Sequence, residues 1–471
     1  MNPSGSSRIR LWLVGLVGAT VLILLATLSG SNVAAQEESS SPAKAALLAG
    51  GPKAIYSDDP NDSWNRIFYY LFSRRIETRL SDQFPEGAPF VDGISTRLFE
   101  RDEIGDRAID PFYPSNGVNA GTTLVLIEPT YSNFKKALQD ALDEKSPRAP
   151  LARALMGNDL WAAHDILFIP LLPADEKDLR GPRLIILNLI SRLIKKIALT
   201  PAEIKSLPAN YSAAVREHSF PDVFAKDSGW VEVLWFYPRA HDDVAGFRRT
   251  SRVFLNVKRA PGEVQTFLNG IPDRQDSDPI FGLDGVALVT QLLLIDSNGK
   301  VEPTSLTSEV QVRLFETAKN GSIKPNDGTL KMMDGTLERA RLQVCEISRK
   351  RFLREPGSGG LVQEDDNSRA YAGHYGFAEG EPVGQGGPSL SAEVISPIQV
   401  TLRARCSFCH REDLTQLMTF AIVRAPHSHP PPIKQLNSGE HETAELAIEK
   451  KEKQKEFQAL LAYFDQRAAR H

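Results

Sequence analysis

Between residues 228 and 353 several segments carry apolar side chains at every second position, and that period of two constrains the fold more than any other feature. In residues 309–316, Val310, Val312 and Leu314 alternate with Gln311 and Arg313, and only Phe315 breaks the pattern. Such alternation sends successive side chains to opposite faces of a pleated strand. Segments 230–238, 251–259, 285–296, 309–316, 339–348 and 396–406 all read as strands. Turn signals separate them, as in "SNGK" at 297–300 and "NDGT" at 326–329. The expectation is an antiparallel sheet.

Upstream the period lengthens to three and four. Asp62 or Ser63 offers a helix N-cap, after which Trp64, Ile67, Phe68, Leu71 and Phe72 share one face. The apolar run "TTLVLIEPT" (122–130) ends at a proline and reads as a buried strand. Helices are expected at 148–168, 182–198 and 200–206, the last with Thr200 as cap, Pro201 at its first position and Glu203 in the capping box. At the C-terminus, Leu446, Phe457, Leu460, Leu461 and Phe464 form the stripe of a final helix. The intervening run "EKKEKQKE" (449–456) is expected on its solvated side. The fold class is therefore α+β: a helix-rich α/β N-terminal region (56–227), an antiparallel β-rich region (228–353), a long loop (354–395), and a last segment with a strand and a charged helix (396–471). Residues 36–55 are small, polar and Gly/Pro-punctuated, as in a flexible linker.

The 471 residues carry a formal charge of −4, with no basic excess that would suit nucleic acid. Arg8 and Arg10 precede an unbroken apolar run over 11–28, and small residues follow, with Val33 and Ala35 placed for cleavage. Those are the parts of a secretory signal in residues 1–35, and the run is also long enough for a retained membrane anchor. Both readings put the rest of the chain outside the cytoplasmic membrane, either periplasmic or tethered. The three cysteines, Cys345, Cys406 and Cys409, are too few and odd in number for a disulfide framework.

Two of those cysteines lie in "RARCSFCHRED" (403–413). Cysteines separated by two residues can both reach the vinyl groups on one porphyrin edge, and a histidine directly after the second can turn its imidazole beneath the iron. The stretch resembles the haem-attachment site of c-type cytochromes. That resemblance implies one covalent haem c on Cys406 and Cys409, with His410 as proximal ligand. Arg403, Arg405 and Arg411 bracket the motif and either pair with haem propionates or form an exposed basic trio. The sixth iron ligand is open among Met418, His427, His429, the pair Met332–Met333, and no protein group at all. Three other readings stand beside haem: a Cys406–Cys409 disulfide, a thioredoxin-like redox pair, and zinc held by Cys406, Cys409, His427 and His429.

The motif falls late, with 61 residues after His410, unlike the small cytochromes c that carry it near the start of a helical domain. In outline the order is similar to β-rich c-type proteins, the β-sheet cytochromes c-prime and the hydroxylamine-oxidising mono-haem cytochromes. The expectation is electron transfer to a redox partner protein, or binding of NO, CO or peroxide at an open iron. The alternative is an exported binding or structural protein with a local disulfide. No nucleophile elbow, phosphate loop or HExxH helix assigns a catalytic residue. The His164–Asp165 and His241–Asp242 neighbours read as structural or surface groups, and Cys345 as a buried small hydrophobe.

Overall fold

The computed structural model describes residues 51–72, 74–78, 95–99, 125–168, 173–234, 248–257, 263–269, 284–315, 340–363, 369–372, 398–401, 434–436 and 442–465. All belong to the compact unit Ala45–His471.

The expected sheet forms. β3 (Trp230–Leu234), β4 (Arg249–Asn256), β5 (Gly285–Ile295), β6 (Val301–Phe315), β7 (Ala340–Ile347) and β8 (Leu361–Gln363) follow one another as an antiparallel meander, and β11 (Lys434–Gln435) adds beside β3. Two-residue alternation sorts their side chains. Phe254, Ala287, Val289, Val310, Val312 and Cys345 join the main apolar core, while Val253, Leu255, Val286, Leu288 and Val344 are buried as the alternate set. Cys345 is fully buried, as its strand pattern predicts. β5 and β6 lose register around Gln291, and Pro303, which has no N–H for the ladder, stands just beyond that irregularity opposite Leu293. Two further ladders are separate pairs: β1 (Arg74–Thr78) with β2 (Ser95–Phe99), and β9 (Arg369–Ala372) with β10 (Ile398–Thr401).

The helices supply the other side of the core. α1 (Ser63–Phe72) is capped by Asp62, whose Oδ1 accepts the Trp64 N–H, and it buries Trp64, Ile67, Phe68 and Leu71 as the spacing predicts. α2 (Thr130–Asp143), α3 (Pro150–Phe168) and α4 (Pro173–Ile197) contribute Phe134, Leu138, Leu155, Met156, Ile190 and Leu193 to the same core. α5 (Pro201–Lys205) starts with the expected capping box between Thr200 and Glu203. α6 (Tyr211–His218), α7 (Val264–Asn269) and α8 (Arg349–Arg354) are short. Among the described residues no helix is long and apolar enough to cross a membrane.

Four expectations change. Residues 125–129 are turns that run into α2; Val125 and Leu126 are apolar because they are buried, and Pro129 offers no ladder donor. The region read as a long loop contains the edge strand β8 and the strand β9. The chain enters β8 through Gly359 and Gly360, both at positive φ; a Cβ on Gly360 would lie 2.3 Å from that of Phe352. Ile398–Thr401 pairs with β9 rather than with the large sheet. The C-terminal helix is two helices, α9 (Glu442–Glu452) and α10 (Lys455–Asp465).

Candidate functional site

Arg403, Arg405, Cys406, Cys409, His410, Met418, His427 and His429 all lie outside the described residues, as do Met332, Met333, His241 and the N-terminal apolar run. The nearest described strand on the upstream side is β10, which ends at Thr401. On the downstream side the chain is described again from β11.

Within the described residues, ionisable chemistry gathers on α3. Pro150 occupies the first turn, where its missing N–H costs nothing. Leu155, Leu160, Trp161, Ala162, Ala163 and Leu167 are buried around most of the helix circumference. A helix enclosed in this way carries its polar residues inside with it. Asn158, Asp159, His164 and Asp165 are all buried and must find partners there. Asn158 donates its amide to the carbonyls of Arg248 and Leu293, fixing α3 to the start of β4 and the end of β5.

Asp159 is fully enclosed. Arg349 donates to both of its oxygens, Nε at 2.8 Å and Nη2 at 2.5 Å, and the Tyr56 hydroxyl donates to Oδ2 at 2.7 Å. The guanidinium also lies 5.7 Å from the centre of the Phe68 ring. This trio joins the N-terminal segment, α3 and α8.

Six residues on, Asp165 is held differently. Its Oδ2 accepts from Arg248 and from the Lys451 ammonium at 2.7 Å, so two cations share one oxygen. Oδ1 has no hydrogen-bond partner among the described residues. The His164 Nδ1 stands 3.9 Å from that oxygen, beyond hydrogen-bond reach, and neither ring nitrogen of His164 finds a partner among the described residues. Burial opposes the Asp165 charge, but Lys451 and Arg248 override it and hold the carboxyl well below the usual carboxylate range. Burial pushes the Lys451 ammonium down from its ordinary value, Asp165 pulls it back up, and Arg248 adds repulsion. Lys451 also touches Gln454, lies 3.7 Å from Glu456 and stands 5.4 Å from the centre of the Trp161 ring.

Lys451 overturns the expectation that the whole 449–456 run is solvated, because its side chain is 0 % exposed. The signal was present in the spacing: Ala444, Ala447 and Lys451 share one stripe of α9, and all three are buried. His164 and Asp165, read as structural or surface groups, are both buried, which sets the surface reading aside.

Chemically, these two clusters are saturated or enclosed, and they join elements rather than face a cleft. Among the described residues no three His, Cys, Asp or Glu side chains converge as a metal site. A recess of about 20 Å³ between α3, α4 and the end of β5, lined by Arg153, Gly157, Ile194 and Leu294, has room for one water molecule. No protein-family model matches this chain, and no curated protein and no solved structure matches it either.

Proposed function

We propose that the chain is an exported mono-haem c-type protein, with thioether bonds from Cys406 and Cys409 and with His410 as the proximal ligand. The observation that carries this reading is the Cys406–Ser407–Phe408–Cys409–His410 motif in a chain of only three cysteines. Export supports it, since Arg8, Arg10 and the apolar run 11–28 would deliver the chain to the side of the membrane where haem is attached. The donor set suits the group: two thiols at the spacing of the vinyl carbons, and one imidazole directly after them. When bound, haem supplies one-electron exchange or a site for a small ligand. The chain's own part is to hold and tune it. His410 would ligate the iron through a ring nitrogen, and Arg403 and Arg405 would offset the propionate charge. Met418, His427 or His429 would close the sixth position and favour electron transfer with a redox partner protein. An open position favours NO, CO or peroxide.

The test is a pyridine haemochrome spectrum, and a haem-stained denaturing gel, of full-length protein made with a c-type maturation system. A covalent haem band that Cys406→Ser and Cys409→Ser abolish is the expected result. Protein without covalent haem, and with Cys406 joined to Cys409, overturns the reading and leaves an exported binding or structural protein. One zinc per chain would equally overturn it. For haem-loaded protein, a carbon monoxide difference spectrum then separates the open from the closed sixth position.

A further inference from the structure

Lys451 sits at the end of α9, just before the break that leads into α10, and its buried ammonium reaches across to α3. The rest of the attachment is mainly apolar, through Ala447, Phe457, Leu460 and Phe464. Phe457 packs on Trp161 with ring centres 5.7 Å apart, and the Lys195 ammonium takes the Phe464 carbonyl at the far end of α10. α9 rests on β4 and β6, and α10 on α3 and α4. Neither helix pairs with a strand, so lifting them away breaks no ladder of the sheet. Five of the buried polar atoms without partners among the described residues lie on α3 and α9, namely Trp161 Nε1, both nitrogens of His164, Asp165 Oδ1 and Thr443 Oγ1, while others lie in the sheet, at Thr250, Ser251, Thr307 and Gln343. A buried donor or acceptor without a partner raises the free energy of the closed arrangement and would be relieved by water. Two cations on a single carboxylate oxygen add to that imbalance.

We propose that α9 and α10 form a strap that undocks from the body as one unit while the sheet stays folded, with the Asp165–Arg248–Lys451 cluster as its catch. Closed, the strap buries Ala447, Phe457, Leu460 and Phe464. Open, it exposes that stripe together with Trp161 and returns Lys451 and His164 to water. The apolar stripe pulls towards closure and the unpartnered polar atoms towards opening, which makes an element of this kind a local unfolding unit. The inference stands on the described residues alone and is independent of the haem reading.

Native-state hydrogen exchange of the full chain, read by mass spectrometry, tests it. Residues 442–465 are expected to exchange as a block, with protection at least about tenfold below that of β4 to β7. In Asp165→Asn the two cations face a neutral amide, so exchange of that block is expected to rise about tenfold or more, while the gap in protection between the strap and the sheet persists. Equal protection of the strap and the sheet in the unaltered protein overturns the proposal. So does exchange of the strap that rises with low urea as steeply as that of β5 and β6, since the two would then open only together as one indivisible core.

Discussion

Two aspartates on one helix, six residues apart, meet opposite conditions. Asp159 has both oxygens occupied, by one bidentate arginine and a tyrosine hydroxyl. Asp165 gathers two cations on one oxygen and leaves the other without a partner among the described residues. Burial is nearly equal, and what differs is completeness. A completed network fixes its elements in a single arrangement, whereas an unbalanced one stores a reason to rearrange. The partners follow that division: Asp159 ties down α8 and the start of the folded body, and Asp165 ties down the C-terminal strap.

Predictions from this contrast fall in order of size. Asp159→Ala strands the Arg349 guanidinium, 5 % exposed, and is expected to cost about 3–5 kcal/mol of global stability by urea denaturation. A loss no greater than that of Asp165→Asn would erase the contrast. Asp165→Asn should cost about 2 kcal/mol, because it weakens two charged hydrogen bonds without emptying the site.

The same residue sharpens the comparison through pH. The folded carboxyl stays ionised below its ordinary value, and the unfolded one takes up its proton near pH 3.9. Its stabilisation is therefore complete above about pH 4 and declines as the pH falls further towards the folded value. Urea midpoints measured from pH 6 to pH 2.5 should fall less steeply in Asp165→Asn than in the unaltered protein. Tyr56→Phe removes one hydrogen bond from Asp159 but leaves the bidentate arginine, for an expected loss of about 1 kcal/mol. Thr200→Ala, which deletes the cap of α5 away from both aspartates, should cost about 0.5–1 kcal/mol and serves as the local control.

Periodicity made most of the sheet legible, because burial on alternate faces writes itself into every second residue, as at Val310 and Val312. Capping chemistry did the same for Thr200 and Asp62. The turns at 125–129 were misread because a short buried run is equally apolar in a turn, a strand or a helix. β8 was missed because three residues between Gly-rich stretches carry no period at all. The buried clusters were illegible for another reason. Asp159 pairs with a residue 190 positions later and Asp165 with one 286 positions later, and tertiary packing alone selects one lysine from a run of charges. The Cys406–Cys409–His410 motif was the reverse case: its chemistry is local, so the sequence alone expresses it, and it lies outside the described residues.

The pairing of β11 with β3 has a kinetic consequence. Lys434 aligns with Leu234, so this edge of the sheet closes a circuit of 200 residues, while β3 to β8 zip between sequence neighbours. Loop closure on that scale comes late, and long-range strand pairing is intrinsically slow. A chain emerging from the ribosome can complete the meander first, with β3 lacking its β11 partner until residues 434–435 arrive. Until then that edge offers the N–H and C=O groups that β11 later takes, which another extended segment could pair with.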